Sequence, residues 1–431
     1  MTSPLTIPLP PHLDILKRLF SPDTHDRIFL VGGTVRDLFL GRLPQDIDLV
    51  AALPHEQMEA LGFRRIHPKS AVSIFFRFHT TLGKIEATTI GATEELESDL
   101  RRRDVTVNAM ALSLSGNLFD PLHGVDSLAR MELHPCSATS FITDPVRIFR
   151  LFRFEAQGWR MTAFAHELIR EREWNDHFSV IPVERFSAEL LKALTGEQPT
   201  RFFRGMIEFG VGELFLPELF RMKDIPAGPL EHHPEGDLFT HSVQVLERAA
   251  LTAGDTVTRF CALFHDLGKL ATPPEQYPKH HGHDEAGFRS ARAFCQRLVF
   301  PAELREPLRW VNRLHTTASR WRELRTSTKI KLAEDAVRGG VAWILPTVAA
   351  ADQHDGDGMP GWDSAVQIVQ LATAALGVDP RLLAPFPTDG VVPLRPDQRH
   401  AFLHQKRVER YRATMNKKND VEEKNRFDTV K

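Results

Sequence analysis

Residues 30–50 read LVGGTVRDLFLGRLPQDIDLV, and this stretch decides the fold of the N-terminal part of the chain. RIFLVGG, which leads into it, has the texture of a short buried strand running into a turn. VRDLFLG has the apolar spacing of one or two helical turns, and DIDLV alternates again as a strand. On a strand, residues i and i+2 point the same way, so Asp46 and Asp48 should share one face while Ile47 enters the core. Two carboxylates so close repel each other unless something positive lies between them. A hard divalent cation such as Mg²⁺ meets that need, taking one or two carboxylates and leaving its other positions to water and substrate phosphate. Gly32 and Gly33 let the backbone come close to a ligand, and their N–H groups, just ahead of a helix, suit an anion. Arg36 adds a planar donor for phosphate oxygens. A DxD triplet alone is common on surfaces. Combined with the glycine pair, Arg36-Asp37 and Gly41, it points to a nucleoside triphosphate and its metal ions.

Composition bounds the rest. A chain of 431 residues exceeds one ordinary core, so two to four domains are expected. Apolar content of 42% with 26% charged residues is that of a water-soluble globular protein. No apolar run approaches the roughly 18 residues of a membrane span. The N-terminal residues lack the pattern of a secretory signal, so cytoplasmic residence is expected. The three cysteines, Cys136, Cys261 and Cys295, lie far apart, which argues against a disulfide framework or a cysteine-based zinc site. A net charge of −2 excludes a uniformly basic surface, so nucleic acid would be held by local patches.

SIFFRFHTTLGKIEATTI predicts two strands around a Leu82-Gly83 turn, completing a mixed sheet. From Asp144 the texture turns helical. TDPVRIFRLFRF repeats Arg147, Arg150 and Arg153 at a spacing of three, and VERFSAELLKAL is a second amphipathic helix. MKDIPAGPLEHHPEGD, 222–237, is rich in Pro and Gly and marks a junction. THSVQVLERAALTA, RFCALFHDLGKL and AELREPLRWVNRLH carry helical stripes such as Leu304, Leu308, Val311 and Leu314. The polar end beyond His404 is expected to fray. The fold class is therefore α+β. The expected divisions are an extension at 1–26, a head at 27–135, a helical region at 136–225, a second helical domain at 226–365 and a helical or polar tail at 366–431.

GGTVRDLFLGRLPQDIDLV resembles the signature of the class II tRNA nucleotidyltransferases and bacterial poly(A) polymerases, within the DNA polymerase beta superfamily. Four further stretches follow in that family's order: RRDVTVNAMA (102–111), DPLHGVDSL (120–128), TDPVRIFRLFRF (143–154) and ERFSAELLK (184–192). The resemblance implies a polymerase-beta-like head followed by all-helical RNA-binding segments. It implies Asp46 and Asp48 as catalytic, Mg²⁺-holding residues, and contacts from Arg103, Asp104 and Asn108 to the sugar and triphosphate. Asp144 and Arg147 would read the incoming base, with Arg150 joining Gly32, Gly33 and Arg36 among the nucleotide-binding residues. The chemistry of that pair agrees, because a carboxylate accepts from the amino group of cytosine or adenine and a guanidinium donates to a ring nitrogen or carbonyl. Glu86 in KIEATT is a candidate third carboxylate, with an ordinary exposed strand glutamate as the simpler reading. The implied substrates are CTP, ATP and tRNA, the last held by basic patches that include Arg201, Arg204 and Arg221. One departure stands out. The family usually carries a flexible loop between the strand around Glu86 and the second motif, where only IGATEELESDL intervenes here. CC-only addition therefore stays open beside full CCA addition.

Twenty histidines are present, several of them between Glu231 and His283. His265-Asp266 forms an HD pair, with His241 upstream on a separate predicted helix and Asp352 downstream in AAADQHDGDG. Imidazoles and carboxylates from different helices can converge on one divalent ion. The ordered set H…HD…D, with DLGK overlapping it, resembles the HD domain fused to some bacterial CCA-adding enzymes. It implies metal-dependent phosphatase, 2′-nucleotidase and 2′,3′-cyclic phosphodiesterase activities. The donor set suits a divalent transition metal or Mg²⁺. His280, His281 and His283 fit a phosphate site, a second metal or a solvated loop equally. Two alternatives to a CCA- or CC-adding enzyme remain: a poly(A) polymerase, and an HD phosphohydrolase with an inactive head.

Overall fold

The computed structural model describes residues 7, 9–44, 46–66, 73–353 and 358–428. The chain divides into two compact units, Met1–Ile181 and Pro182–Lys431, each with its own core.

In the first unit the strands are β1 (Ile28–Val31), β2 (Ile47–Ala51), β3 (Arg64–Ile66), β4 (Ile74–His79), β5 (Gly83–Thr89), β6 (Ala111–Ser113) and β7 (Leu118–Phe119). Among the described residues they form one mixed sheet in the order β3, β4, β5, β2, β1, β6, β7. β2 runs parallel to β5, and every other neighbouring pair is antiparallel. All four residues of β1 are buried, as its unbroken apolar run demands of a central strand. The predicted Leu82-Gly83 turn does join two antiparallel strands, with His79 opposite Gly83.

Helix α1 (Gly33–Phe39) leaves β1 directly through Gly32, whose φ of 63° is strained for any side-chain-bearing residue. The short connection noted in the sequence is itself structured. A 3₁₀ turn at Thr93–Glu95 leads into α2 (Leu96–Arg101), and Leu96 and Leu100 pack with Phe29, Val31 and Val50 beside Ala109 and Ala111. Each buried leucine contributes about 1.5–3 kcal/mol, so this connection is part of the core. Helix α3 (Val146–Ala156) buries Ile148, Phe149, Leu151 and Phe152.

The second unit is helical. Its principal helices are α4 (Val183–Leu194), α5 (Leu238–Thr252), α6 (Thr256–Phe264), α7 (His283–Arg297), α8 (Ala302–Ser319), α9 (Thr326–Arg338), α10 (Leu345–Asp352) and α11 (Pro396–Asp428). α4 spans the predicted amphipathic segment, and the Leu304, Leu308, Val311 and Leu314 stripe of α8 is buried. Asp237 and Asp255 start α5 and α6 by accepting from the main-chain N–H groups of Thr240 and Thr258, the usual N-cap arrangement. Phe260, Phe264, Phe294 and Phe300 fill the space between α6 and α7 with tilted and edge-on ring contacts.

The polar end departs from expectation. It forms α11, held to α9 by buried Glu334, which accepts from Arg407 at 2.8 Å and from His404 at 3.0 Å. Val408 and Tyr411 are buried on the same helix. Charges dominate the composition there, but Arg407 also donates to the Val369 carbonyl and Tyr411 to that of Gly361, so the helix is seated by contacts to other elements. No helix among the described residues is long and apolar enough to cross a membrane.

Candidate active sites

Two clusters of polar side chains stand out, one in each unit. In the first unit a cavity of about 260 Å³ is lined by Gly32, Gly33, Asp48, Arg103, Asp104, Asn108, Asp144, Arg147 and Arg150. The β1–α1 turn supplies the glycines, β2 supplies Asp48, the segment after α2 supplies Arg103 to Asn108, and the start of α3 supplies the rest. A Cβ on Gly32 would lie 2.9 Å from an Arg103 guanidinium nitrogen and 3.6 Å from Asp48 Oδ2, so glycine keeps cation and carboxylate close.

β2 begins at Ile47, leaving Asp46 just outside the strand and exposed. Thr34 at the start of α1 ties this edge down, its hydroxyl donating to the Asp46 carbonyl at 3.2 Å and accepting from the Asp48 N–H at 2.9 Å. Asp48 stands opposite Glu86 in the parallel register of β2 and β5. Burial raises the Asp48 carboxyl above the ordinary range, and the charges of Glu86 and Asp46 push the same way against Arg103. Three carboxylates drawn together against that cost form a donor set suited to a hard divalent cation. Lys84 pairs with Glu86, so the strand glutamate is neither isolated nor simply solvated.

A chain of polar contacts runs from Arg36 into the cavity wall. Arg36 donates to Asn108 Oδ1 at 2.7 Å and to Asp37, and stacks over the Phe154 ring at 5.2 Å. Asn108 in turn donates to buried Asp104 at 3.1 Å, and Asp104 also pairs with Arg150 at 2.8 Å. Burial alone would raise the Asp104 carboxyl, but Arg150 and the Asn108 amide outweigh it and hold it below the usual range. Arg36 thus acts on this cavity through Asn108, not as a lining residue. Arg147 donates to the carbonyls of Arg102, Arg103 and Ser140, which fixes its guanidinium plane. Sequence reasoning missed Asp99 on α2, which holds Arg103 at 3.0 Å. Its only signal was an acid four residues ahead of a base, although Arg103 lies just past the end of α2.

In the second unit His241 on α5, His265 and Asp266 just past α6, and Asp352 at the end of α10 converge. His241 Nε2 lies 3.3 Å from His265 Nε2 and 3.1 Å from Asp352 Oδ1. His265 Nε2 lies 3.4 Å from Asp352 Oδ1 and 3.3 Å from Asp266 Oδ2. Bonds of roughly 2.1 Å to one ion, at angles between octahedral and tetrahedral, put neighbouring donors about 3.0–3.4 Å apart, so these donors fit one divalent cation. Each ring is turned inward by its other nitrogen. His241 Nδ1 donates to Glu235 at 2.7 Å and His265 Nδ1 to the Ala262 carbonyl at 2.8 Å, the outer support that metal-ligating histidines need. Burial alone would lower His265, but Asp266 and Asp352 raise it to about 10. Burial would raise Asp352, yet bonds from His241 and His265 hold it well below the carboxylate range. Both shifts have one cause: the rings and carboxylates favour one another's charged forms.

Of the other histidines weighed in the sequence, His280 is buried and donates to the Pro226 carbonyl at 2.7 Å, and His281 is exposed. His283 faces Asp266. Gly268 of DLGK explains the close approach of α7, because a Cβ there would strike the His283 carbonyl. Glu235 and His315 are functional candidates that sequence reasoning missed.

Comparison with known proteins places these clusters in a class. The Poly A polymerase head domain family matches residues 28–92 and 72–134, the probable RNA and SrmB-binding site of polymerase A matches 175–222, and the HD domain matches 238–336. The chain is thus a nucleotidyltransferase head joined to an HD phosphohydrolase domain. It is 38% identical to the multifunctional CCA protein of Alkalilimnicola ehrlichii, over 72% of this chain and 78% of that one. It is 36% identical to that of Methylococcus capsulatus, over 83% and 89%. The chain belongs to this family, the multifunctional CCA proteins of the class II CCA-adding enzymes. The fold is similar to that of the Thermotoga maritima CCA-adding enzyme solved with tRNA, at a TM-score of 0.59 and 17% identity, covering 94% of this chain and 96% of that one. A CCA-adding enzyme solved with CTP superposes at 0.61 with 18% identity, over 92% and 93%. Both component families imply metal dependence.

Proposed function

We propose that the head adds C and A from CTP and ATP to tRNA 3′ ends, with Asp46 and Asp48 holding Mg²⁺, while the HD cluster hydrolyses phosphate esters. The observation that carries the first part is the cavity in which Gly32, Asp48, Arg103, Asp144 and Arg147 meet. The RNA 3′-hydroxyl would attack the α-phosphate in line, with pyrophosphate as leaving group. Divalent ions bound by the carboxylates would lower the pKa of that hydroxyl and offset the charge on phosphorus. Arg103, steadied by Asp99, would meet the triphosphate, and the Asp104–Asn108–Arg36 relay would hold the sugar side of the pocket. Arg147, its plane fixed by three carbonyls, would offer its remaining donor edge to the base while Asp144 accepts from the exocyclic amine. His241, His265, Asp266 and Asp352 would hold a divalent transition metal or Mg²⁺, whose Lewis acidity serves phosphate ester hydrolysis. The reading takes the head as 27–135, the nucleotide-selecting region as 136–225 and the HD domain as 226–365, working in the cytoplasm.

A second reading, addition of CC alone, is favoured by one observation: α2 and its buried leucines fill the connection in which a flexible loop would be needed. One experiment separates the readings. Purified protein and Mg²⁺ are given tRNA transcripts ending before CCA, after C and after CC, with CTP, ATP or both, and the products are resolved to one nucleotide. Completion to CCA supports the first reading, and a stop at CC the second. Long A tails on unrelated RNA would point to a poly(A) polymerase, and no incorporation would sink the transferase claim.

A further inference from the structure

We infer that Phe288 and Trp310, together with the guanidiniums of Arg309 and Arg313, form a platform on α7 and α8 for the unpaired nucleotides at the 3′ end of an RNA. The inference rests on the HD phosphohydrolase reading and deepens it, by making the substrate of that site a single-stranded RNA end in place of a free nucleotide.

The two helices run antiparallel. Asp284 in the first turn of α7 accepts from Thr316 near the end of α8 at 2.7 Å, while Phe288, one turn on, meets Arg309 and Arg313. The half-buried Phe288 and Trp310 rings meet edge-on, their centroids 5.4 Å apart. Arg309 stands over the Phe288 ring at 4.4 Å and Arg313 at 4.8 Å, and Arg313 is also 5.9 Å from the Trp310 ring. Arg309 is held in place by donating to the Phe288 carbonyl at 3.3 Å and to Glu306 at 2.7 Å. Arg313 is exposed, and its guanidinium lies 3.7 Å from the Glu285 carboxylate, beyond hydrogen-bond reach. A Cβ on Gly339 at the end of α9 would strike Trp310, so that turn packs flush against the indole, and Trp343, four residues further on, is 57% exposed.

One guanidinium over a ring is an ordinary surface contact. Two beside the same ring are held together against their mutual repulsion, and Glu306 bonds directly to Arg309 alone of the two. An anion next to Arg313 relieves that repulsion. α7 and α8 together carry six arginines against four carboxylates, in a chain whose net charge is −2, so the positive charge is concentrated locally. Rings and guanidinium planes side by side are what unstacked bases lie on, while neighbouring arginines meet the backbone phosphates. A duplex keeps its base faces stacked inside, so the fit is to a single strand. The position agrees. Phe288 is about 6 Å along α7 from Asp284, and Asp284 adjoins His283, which faces Asp266 of the HD pair. A strand stacked on the platform would deliver its terminal phosphate to that pair.

The test uses the full-length chain and a 5′-fluorescein-labelled hexauridylate ending in a 2′-phosphate, with anisotropy for binding and phosphate release for turnover. Phe288→Leu removes the ring but keeps an apolar side chain, and Arg313→Gln changes an exposed position, so neither threatens the fold. Each should weaken binding of the hexamer about 10-fold. Arg313→Gln should also flatten the salt dependence by about 0.7 in log–log slope, the loss of one phosphate contact. For both variants kcat/KM on the hexamer should fall by a like factor relative to that on 2′-UMP, which is too short to span the platform and the HD pair. Wild-type affinity in both variants would overturn the platform, as would losses of equal size on the hexamer and on 2′-UMP. Equal affinity of the parent for a blunt RNA hairpin would overturn it too, because a duplex has no free bases to stack. Absence of phosphate release from either substrate would sink the HD reading, and the anisotropy series would then decide the platform by itself.

Discussion

Replacing Gly32 by alanine tests how the head positions its triphosphate cradle. Gly32 has φ 63° and ψ −134°, a region open almost only to glycine, and holding alanine there costs about 1–3 kcal/mol. For a unit the size of Met1–Ile181 this corresponds to a fall in melting temperature of roughly 2–12 °C. A second cost falls on activity. The new Cβ would come within 2.9 Å of the Arg103 guanidinium, which is the free end of a flexible side chain and can move away. Moving it strains the 3.0 Å pair with Asp99 and shifts a phosphate-binding group by about 1 Å, a displacement worth on the order of 10²-fold in rate. Gly32→Ala should therefore fold, melt earlier and add CTP on the order of 100-fold less efficiently. Placed on an Arg103→Ala background, the same change should retain the melting penalty but lose most of its further effect on incorporation. The assays are calorimetry and single-nucleotide extension of a tRNA transcript. An unchanged melting temperature would refute the backbone argument. An undiminished kinetic penalty on the Arg103→Ala background would refute the role assigned to the Arg103 contact.

Other substitutions probe separate parts of the chain. Asp104→Asn removes the buried partner of Arg150 and should cost about 3 kcal/mol or less, because that arginine is partly solvated. The Asp104 carboxyl is held below its unfolded value, so its stabilisation is complete above the unfolded pKa of about 4 and is lost as pH falls through the folded one. The gap to wild type in denaturant melts should accordingly narrow on acidification, and a gap that widens would contradict the pairing. Asp352→Asn should lower HD phosphatase activity on the order of 10²-fold or more while leaving CTP incorporation intact, measured by release of phosphate from a 2′- or 3′-terminal nucleotide. Arg407→Ala leaves Glu334 buried with only His404 beside it. It should destabilise the docking of α11 by about 3 kcal/mol and open that helix to limited proteolysis, and equal resistance to wild type would count against the seating described.

What the sequence makes legible is chemistry carried by neighbours along the chain. Asp46 with Asp48, the Gly32-Gly33 turn and His265 with Asp266 are each defined within a few residues, so strand period and helix spacing suffice to bring them together. Asp104, Asn108 and Arg150 are legible as a set only through their family resemblance. Their partnership depends on α3 packing beside the segment after α2, which no local period encodes. His315 is the clearest case of an illegible residue. It lies 49 residues beyond Asp266 in an otherwise ordinary amphipathic helix, and its stripe position suits an unremarkable core histidine. Only the packing of α8 against α7, close enough that a side chain on Gly287 would strike Asn312, turns it toward the carboxylate. The tail shows the converse. Its high charge predicts fraying, yet Glu334 on another helix supplies the partner that composition along the tail cannot reveal.

The two clusters answer the same electrostatic problem with different donors, and that difference bears on metal choice. In the head the donors are carboxylates alone, at an edge where Asp46 is exposed, which suits a hard, partly hydrated ion that must also reach substrate phosphate. In the HD unit two imidazoles join two carboxylates, and each ring has its Nδ1 already committed to a carbonyl or carboxylate. Rings locked this way pay little further ordering cost on binding, and their nitrogen donors discriminate against Mg²⁺ in favour of later transition metals. Incorporation of CTP should therefore run on Mg²⁺ alone after chelation and dialysis, while phosphatase activity should return only when Mn²⁺, Co²⁺ or Ni²⁺ is added. Full phosphatase recovery on Mg²⁺ would show that ring orientation does not govern metal selection in this domain.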